Sequence, residues 1–253
     1  MNNLLTDICN EKKKEIEALK LRCSLKSLQK LIGNKQNREF KKILKESQKN
    51  EKNNIIAEIK QSSPSAGEII KDYYPEDIAV KYEKAGAGAI SILTEKKFFK
   101  GSIDHLSLIN SKTNIPILRK DFIIHEYQIY EARILDADCV LLIASILNDE
   151  QISHFIDVAR SLNLDCLMEV HDQDELNRIE SIKDVIIGVN NRNLKTFEVD
   201  ISLSVKLKNS YQGDNPFVAE SGIKSQEDLD YLMNNGINNF LIGESLMKKN
   251  LQI

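Results

Sequence analysis

The 253-residue chain has no cysteine pair at metal-clip spacing. Its four cysteines, Cys9, Cys23, Cys139 and Cys166, stand far apart, which argues against zinc. Cys139 and Cys166 lie in apolar runs and read as buried thiols rather than a disulfide. The four histidines, His105, His125, His154 and His171, show no metal-ligand spacing, so no metal site is read. The chain does not open on a basic stretch followed by an apolar one, so no signal peptide is read, and no apolar run approaches the length of a membrane span. A net charge of only −3 gives no global reason to bind nucleic acid. A cytoplasmic protein with no membrane or nucleic-acid partner is the simplest reading.

What is present changes character near residue 50. Residues 1–50 are rich in Lys, Glu, Gln and Leu, with Ile8, Ile16, Leu19, Cys23, Leu28, Leu31, Ile32, Phe40, Ile43 and Leu44 at helical spacing. They read as two or three helices broken near Gly33-Asn34, with Lys12-Lys13-Lys14 as a solvated face and the Leu28, Leu31, Ile32 stripe seeking a surface. Over 51–253, short apolar runs alternate with amphipathic stretches. The runs are 55–59, 89–93, 115–118, 139–144, 166–170, 185–189, 217–219 and 239–242. Several are apolar on both faces, as strands covered on both sides must be. Pro75 is placed for a first helical turn, and Gly86 and Gly236 for helix ends. Eight such units predict a single (β/α)8 barrel behind the N-terminal helical extension. An open doubly wound sheet competes, but no G-x-G-x-x-G turn follows the first strand. The short stretch after the last strand leaves that side of the barrel thinly covered.

In such a barrel, chemistry sits at the carboxyl ends of the strands. The first strand brings Ile56, Glu58 and Lys60 onto one face, and buried charges are costly unless paired or used. The third ends in Arg119-Lys120-Asp121-Phe122, the fifth in Glu169, the sixth at Asn190 with Arg192 beyond it, the seventh in Glu220-Ser221-Gly222 and the eighth in Gly243-Glu244-Ser245. Singly, each has a plain structural reading: a surface lysine, half a salt bridge, a turn, a helix cap. Together they crowd the strand ends more than packing alone explains. Loops after the seventh and eighth strands often hold a phosphate, and the small residues here leave backbone N–H groups accessible to one.

The set resembles the indole-3-glycerol phosphate synthase family. The resemblance rests on Ala57-Glu58-Ile59-Lys60 with Ser62-Ser63-Pro64-Ser65, on 118–123, 128–133, 167–171 and 188–197, and on Ala219-Glu220-Ser221-Gly222-Ile223, and it covers about 50–248. Ala66 stands where that family often has a lysine, Asn193 where it has aspartate, and His125-Glu126 where it has Asp-Pro. The resemblance implies cofactor-free ring closure of 1-(2-carboxyphenylamino)-1-deoxyribulose 5-phosphate with loss of CO2 and water. It implies Lys120 as general acid, Glu169 as the catalytic carboxylate, Lys60 against the leaving carboxylate, Glu58 holding Lys60, and Asn190 in support. It implies Phe122 and Arg192 as substrate-binding, Glu220 as binding substrate and supporting the lysines, and Ser63, Ser221, Gly222, Gly243 and Glu244 (backbone) as phosphate-binding. It also implies an N-terminal segment lying over the catalytic face. The phosphorylated substrate is the one partner it requires, and a monomer is compatible with it. Another phosphate-binding barrel, such as a sugar-phosphate isomerase, and an inactive barrel bearing a helical interaction module remain as alternatives at this stage.

Overall fold

In the computed structural model, residues 4–33, 36–194 and 196–253 are described; Asn34, at the expected helix break, and Lys195 lie outside them. Eight parallel strands close into a barrel: β1 (Asn54–Ile59), β2 (Ala89–Leu93), β3 (Ile117–Lys120), β4 (Cys139–Ile143), β5 (Asp165–Val170), β6 (Ile186–Asn190), β7 (Phe217–Glu220) and β8 (Asn239–Ile242). Each pairs with its neighbours in sequence, and β8 pairs back onto β1. The (β/α)8 expectation holds. The third strand runs two residues further than expected, so Lys120 is its last residue rather than part of the following loop.

The strands divide their side chains as their alternation dictates. Ile56, Leu118, Leu141, Leu167, Ile186, Val218 and Leu241 fill the barrel interior. Ile55, Ala57, Ile59, Ile90 and Ile92 face the surrounding helices. Those helices are α4 (Pro75–Ala85), α5 (Asp104–Asn110), α6 (Glu126–Ile134), α7 (Asp149–Ser161), α8 (Gln173–Ile179), α9 (Ser202–Ser210), α10 (Gln226–Asn234) and the short α11 (Glu244–Met247). Pro75 occupies the first turn of α4, and Gly86 ends it with φ 104°, a left-handed conformation that favours glycine. His125, standing where aspartate was the familiar residue, still caps α6: its Nδ1 accepts the Tyr127 N–H at 3.0 Å. Although α11 has only four residues, Leu246, Leu251 and Ile253 beyond the last strand pack onto the core.

The N-terminal extension forms α1 (Leu4–Arg22), α2 (Leu25–Lys30) and α3 (Phe40–Lys49). It touches the barrel at both ends. Leu4, Leu5 and Ile8 of α1 line the cavity at the carboxyl ends of the strands. α3 closes the opposite end, where Phe40 and Leu44, both fully buried, join the interior cluster. Asp165, at the start of β5, accepts the Lys41 N–H at 2.8 Å, and Asn239, at the start of β8, donates to the Leu44 carbonyl at 3.2 Å. Two expectations fail here. Leu31 is 63% exposed, because α2 turns Leu25 and Leu28 inward toward Ile16 and Tyr127 and ends before Leu31. Lys12 is buried rather than solvated: Ile8, Lys12 and Ile16 are four residues apart and form the inward stripe of α1.

Phe40→Ala should therefore cost about 3–5 kcal/mol of stability, the range for a fully buried aromatic. Leu31→Ala should stay within about 0.5 kcal/mol, as surface changes do. Urea unfolding of both variants checks the contrast; equal effects would refute the plug assigned to α3.

Candidate active site

The first strand delivers what its alternation demands. Glu58 is buried at the end of β1, and Lys60, just past it, gives its ammonium to Glu58 Oε2 at 2.5 Å. At the end of β3, Lys120 Nζ lies 2.5 Å from Glu220 Oε2 and 3.2 Å from Glu169 Oε2. The other Glu169 oxygen, Oε1, accepts from Asn190 Nδ2 at 3.2 Å. His171 Nε2 lies 3.2 Å from that same oxygen, close enough to pair charges but outside hydrogen-bond geometry. Strands β1, β3, β5, β6 and β7 thus converge on two lysines braced by three buried carboxylates.

Burial disfavours each of these charges, and partners decide the outcome. Burial alone would lower the Lys120 pKa, but Glu220, Glu169 and Glu58 outweigh it and hold the group well above its ordinary value. Burial would raise Glu169, yet Lys120, His171 and Asn190 hold it well below the carboxylate range. Glu220 goes the other way. Burial first, and then Glu169 and Glu58, push it up to about 7 against the pull of Lys120. His171, where burial would lower the pKa, is pushed up to about 10 by Glu169 and Glu175.

These groups open onto one cavity of about 780 Å3. Glu58, Lys60, Lys120, Phe122, Glu169, Asn190 and Arg192 line it, as do Ser63, Ser221, Gly222, Gly243 and Glu244. Glu220 does not reach the wall. It is 1% exposed and lies behind Lys120, which favours the lysine-supporting half of its expected role over direct contact with substrate. One side of the cavity is apolar: Phe99, Phe122, Leu141 and Ile143, with the Phe99 and Phe122 ring centroids 6.0 Å apart. The opposite side carries the loops after β7 and β8. There Ser221 and Gly222 take left-handed φ values of 64° and 87°, and Ser245 Oγ donates to the Ile223 carbonyl at 2.6 Å, fastening one loop to the other. Gly243 serves a second end. A Cβ there would collide with the Glu58 carboxylate, so its bareness makes room for the Glu58–Lys60 pair as well as for a ligand.

Sequence reasoning missed several residues here. Lys12 reaches from α1 to Asp121, 3.1 Å from Oδ1, and Asp121 is further held by Thr94 Oγ1 at 2.6 Å and Arg119 at 3.1 Å. The signal was the Ile8, Lys12, Ile16 spacing, masked by the neighbouring lysines. Lys224 and Lys248 line the cavity beside the two loops. Asn191 donates to the Ser221 carbonyl at 3.1 Å and accepts from Ser204 Oγ at 2.8 Å, which ties the loop after β6 to the next one. His171 carried a readable signal, two residues after Glu169 on the same strand face.

The fold and the site define a (β/α)8-barrel enzyme whose pocket, at the carboxyl ends of the strands, combines paired lysines with an apolar wall. A family model described as indole-3-glycerol phosphate synthase matches residues 5–252. The chain is 45% identical over 248 residues to an indole-3-glycerol phosphate synthase of Endomicrobium trichonymphae, covering 97% of this chain and 95% of the relative. It is 43% identical to that of Legionella pneumophila (strain Paris), covering 98% and 95%, and 50% identical to that of Lachnoclostridium phytofermentans, covering 77% and 72%. The chain belongs to the indole-3-glycerol phosphate synthase family. Among solved structures, the N-acetylmannosamine-6-phosphate 2-epimerase from Clostridium perfringens superposes with a TM-score of 0.58 at 15% identity, covering 78% of this chain and 88% of its own, which reflects the barrel alone.

Two measurements follow from this geometry. Gly243→Ala should displace Glu58 and lower kcat by at least roughly tenfold, not merely raise KM; an unchanged kcat would show that Glu58 yields without cost. His171 has a folded pKa above its unfolded value of 6.5, so its stabilisation is complete below pH 6.5 and is lost as pH rises toward about 10. The stability difference between the parent and His171→Gln should accordingly shrink from pH 6 to pH 9.5 in urea titrations, and a constant difference would contradict it.

Proposed function

We propose that this chain closes the ring of 1-(2-carboxyphenylamino)-1-deoxyribulose 5-phosphate, with loss of CO2 and water, to give indole-3-glycerol phosphate, a step of tryptophan biosynthesis. One observation carries the residue assignment: two lysines, each pinned to buried carboxylates, face one cavity from β1 and β3. The substrate's aryl ring packs on Phe122 and Phe99. Its phosphate sits between Ser63 and the Ser221-Gly222 and Gly243-Glu244 backbones, with Lys248 nearby. Its carboxylate meets Lys60, and Arg192 closes that rim. The aromatic carbon bearing the carboxylate attacks the ketone carbon while Lys120 protonates the ketone oxygen. The carboxylate leaves as CO2, and the released pair restores the aromatic ring. Dehydration then follows: Lys60 gives a proton to the new hydroxyl, which leaves as water, while Glu169 takes one from the neighbouring CH2. Asn190 and Glu220 hold Glu169 and Lys120 in place, and Glu58 holds Lys60.

Each transfer has a side chain to perform it, so the scheme uses no metal or cofactor. The scheme calls on no residue of a second copy, so a monomer is compatible with it. No helix among the described residues is long and apolar enough to cross a membrane, and a cytoplasmic setting suits a phosphorylated intermediate.

Product appearance is directly readable, because indole fluoresces and the chain contains no tryptophan. Turnover should persist in excess EDTA. Lys120→Ala should lower kcat by roughly 100-fold or more with little change in KM, as loss of a general acid does. A raised KM with intact kcat would make Lys120 a binding residue and overturn the assignment.

A further inference from the structure

We propose that His171, clamped between Glu169 and Glu175, is a positioning residue that fixes the orientation and negative charge of Glu169. This rests on the reading of Glu169 as the catalytic carboxylate. Glu175, in the first turn of α8, holds the histidine twice: its Oε2 accepts the His171 backbone N–H at 2.8 Å and lies 3.2 Å from Nδ1. Glu175 is itself fixed, since its N–H donates to the capping Asp172 Oδ1 at 2.9 Å. With Nδ1 turned to Glu175, the ring presents Nε2 to Glu169 Oε1. A histidine between two carboxylates carries a proton on each nitrogen.

Charge balance gives the cation its task. At the strand ends, Glu58, Glu169 and Glu220 are buried with only Lys60 and Lys120 between them. Three carboxylates share two ammoniums, and Glu220 takes the shorter contact with Lys120. Glu169 is left with the weaker share of the lysine. The imidazolium supplies what is missing from the other side of the carboxylate, and burial supports this by strengthening the pairing.

The groups facing each partner are defined. Glu169 sees Lys120 from β3, Glu220 from β7 and Asn190 from β6. His171 sees Glu169 and Glu175, and it lines a second cavity of about 430 Å3 together with Asp172, Glu198 and Asp200. Asn190 lines both cavities, so His171 approaches Glu169 from behind while substrate approaches from the front. The surrounding acids favour the protonated ring.

The test is the pH dependence of kcat for His171→Gln and Glu175→Gln. Loss of the cation should lower kcat roughly tenfold near neutrality, leave KM within about twofold, and move the acid limb up by about one pH unit. Glu175→Gln should move the same limb in the same direction by less, and it carries the test alone if His171→Gln fails to fold. Imidazole, entering through the second cavity, should restore activity to His171→Ala. An acid limb that stays in place in folded variants, with kcat within twofold of the parent, overturns the inference. Glu169→Gln separates the two levels: inactive beside an unaltered His171→Gln, it refutes the positioning role alone; active, it refutes the reading of Glu169 and the inference with it.

Discussion

Lys120 is a part-buried cation at the inner end of the cavity, and the structure around it is arranged to keep it charged. An isolated ammonium in a barrel interior would lose its proton rather than bear the desolvation cost. Glu169 and Glu220 prevent this, but they come from β5 and β7, with β6 between them. The register puts Gly188 of β6 beside Glu169 and Val218, where a side chain would collide with the Glu220 carboxylate and with Leu167. A bare position on the intervening strand is thus the condition for both carboxylates to reach one lysine. Gly243 does the same for Glu58 on β1. Two glycines in the barrel wall set the geometry of two ion pairs.

The extension completes the enclosure. Its α3 seals the amino-terminal end of the barrel with Phe40 and Leu44, while α1 sends Lys12 down to Asp121, the residue after Lys120. Burial would lower the Lys12 pKa, yet Asp121 and Glu15 raise it, so the contact is an ion pair and not a neutral bond. Asp121 in turn fixes the Phe122 N–H at 2.8 Å. The helix over the cavity therefore registers on the strand that carries the proposed acid, and removing one partner of such a pair costs more than the pair contributes.

How much of this was legible depended on the range of the interaction. The β1 face of Ile56, Glu58 and Lys60 followed from a period of two, and the barrel followed from eight repeats of the same pattern. Lys12 was misjudged because three consecutive lysines look solvated, although helical periodicity puts only Lys12 on the stripe of Ile8 and Ile16. Leu31 erred in the opposite sense, since α2 turns Leu25 and Leu28 inward and ends before Leu31. Glu220 sits at the strand end as expected, but its depth depends on Gly188, thirty-two residues earlier and across a strand pair. No local pattern carries that.

The brace creates a tension that the chemistry has to resolve. A lysine stabilised by two carboxylates is a reluctant acid, and a general acid works best when its pKa lies near the working pH. Substrate brings more negative charge into the cavity, which would hold the proton still tighter. Glu220 offers the release. Burial and its acidic neighbours push it upward while Glu169 is held low, so of the two partners of Lys120 it gives up its charge the more readily. A Lys120 left with Glu169 as its main partner would let its proton go more readily. Glu169, held ionised by Lys120, His171 and Asn190, keeps the charge that its proposed role as base requires. The two carboxylates beside one ammonium are therefore divided by their surroundings: one yields charge easily beside the proposed acid, and the other keeps its charge for the proton removal proposed for it.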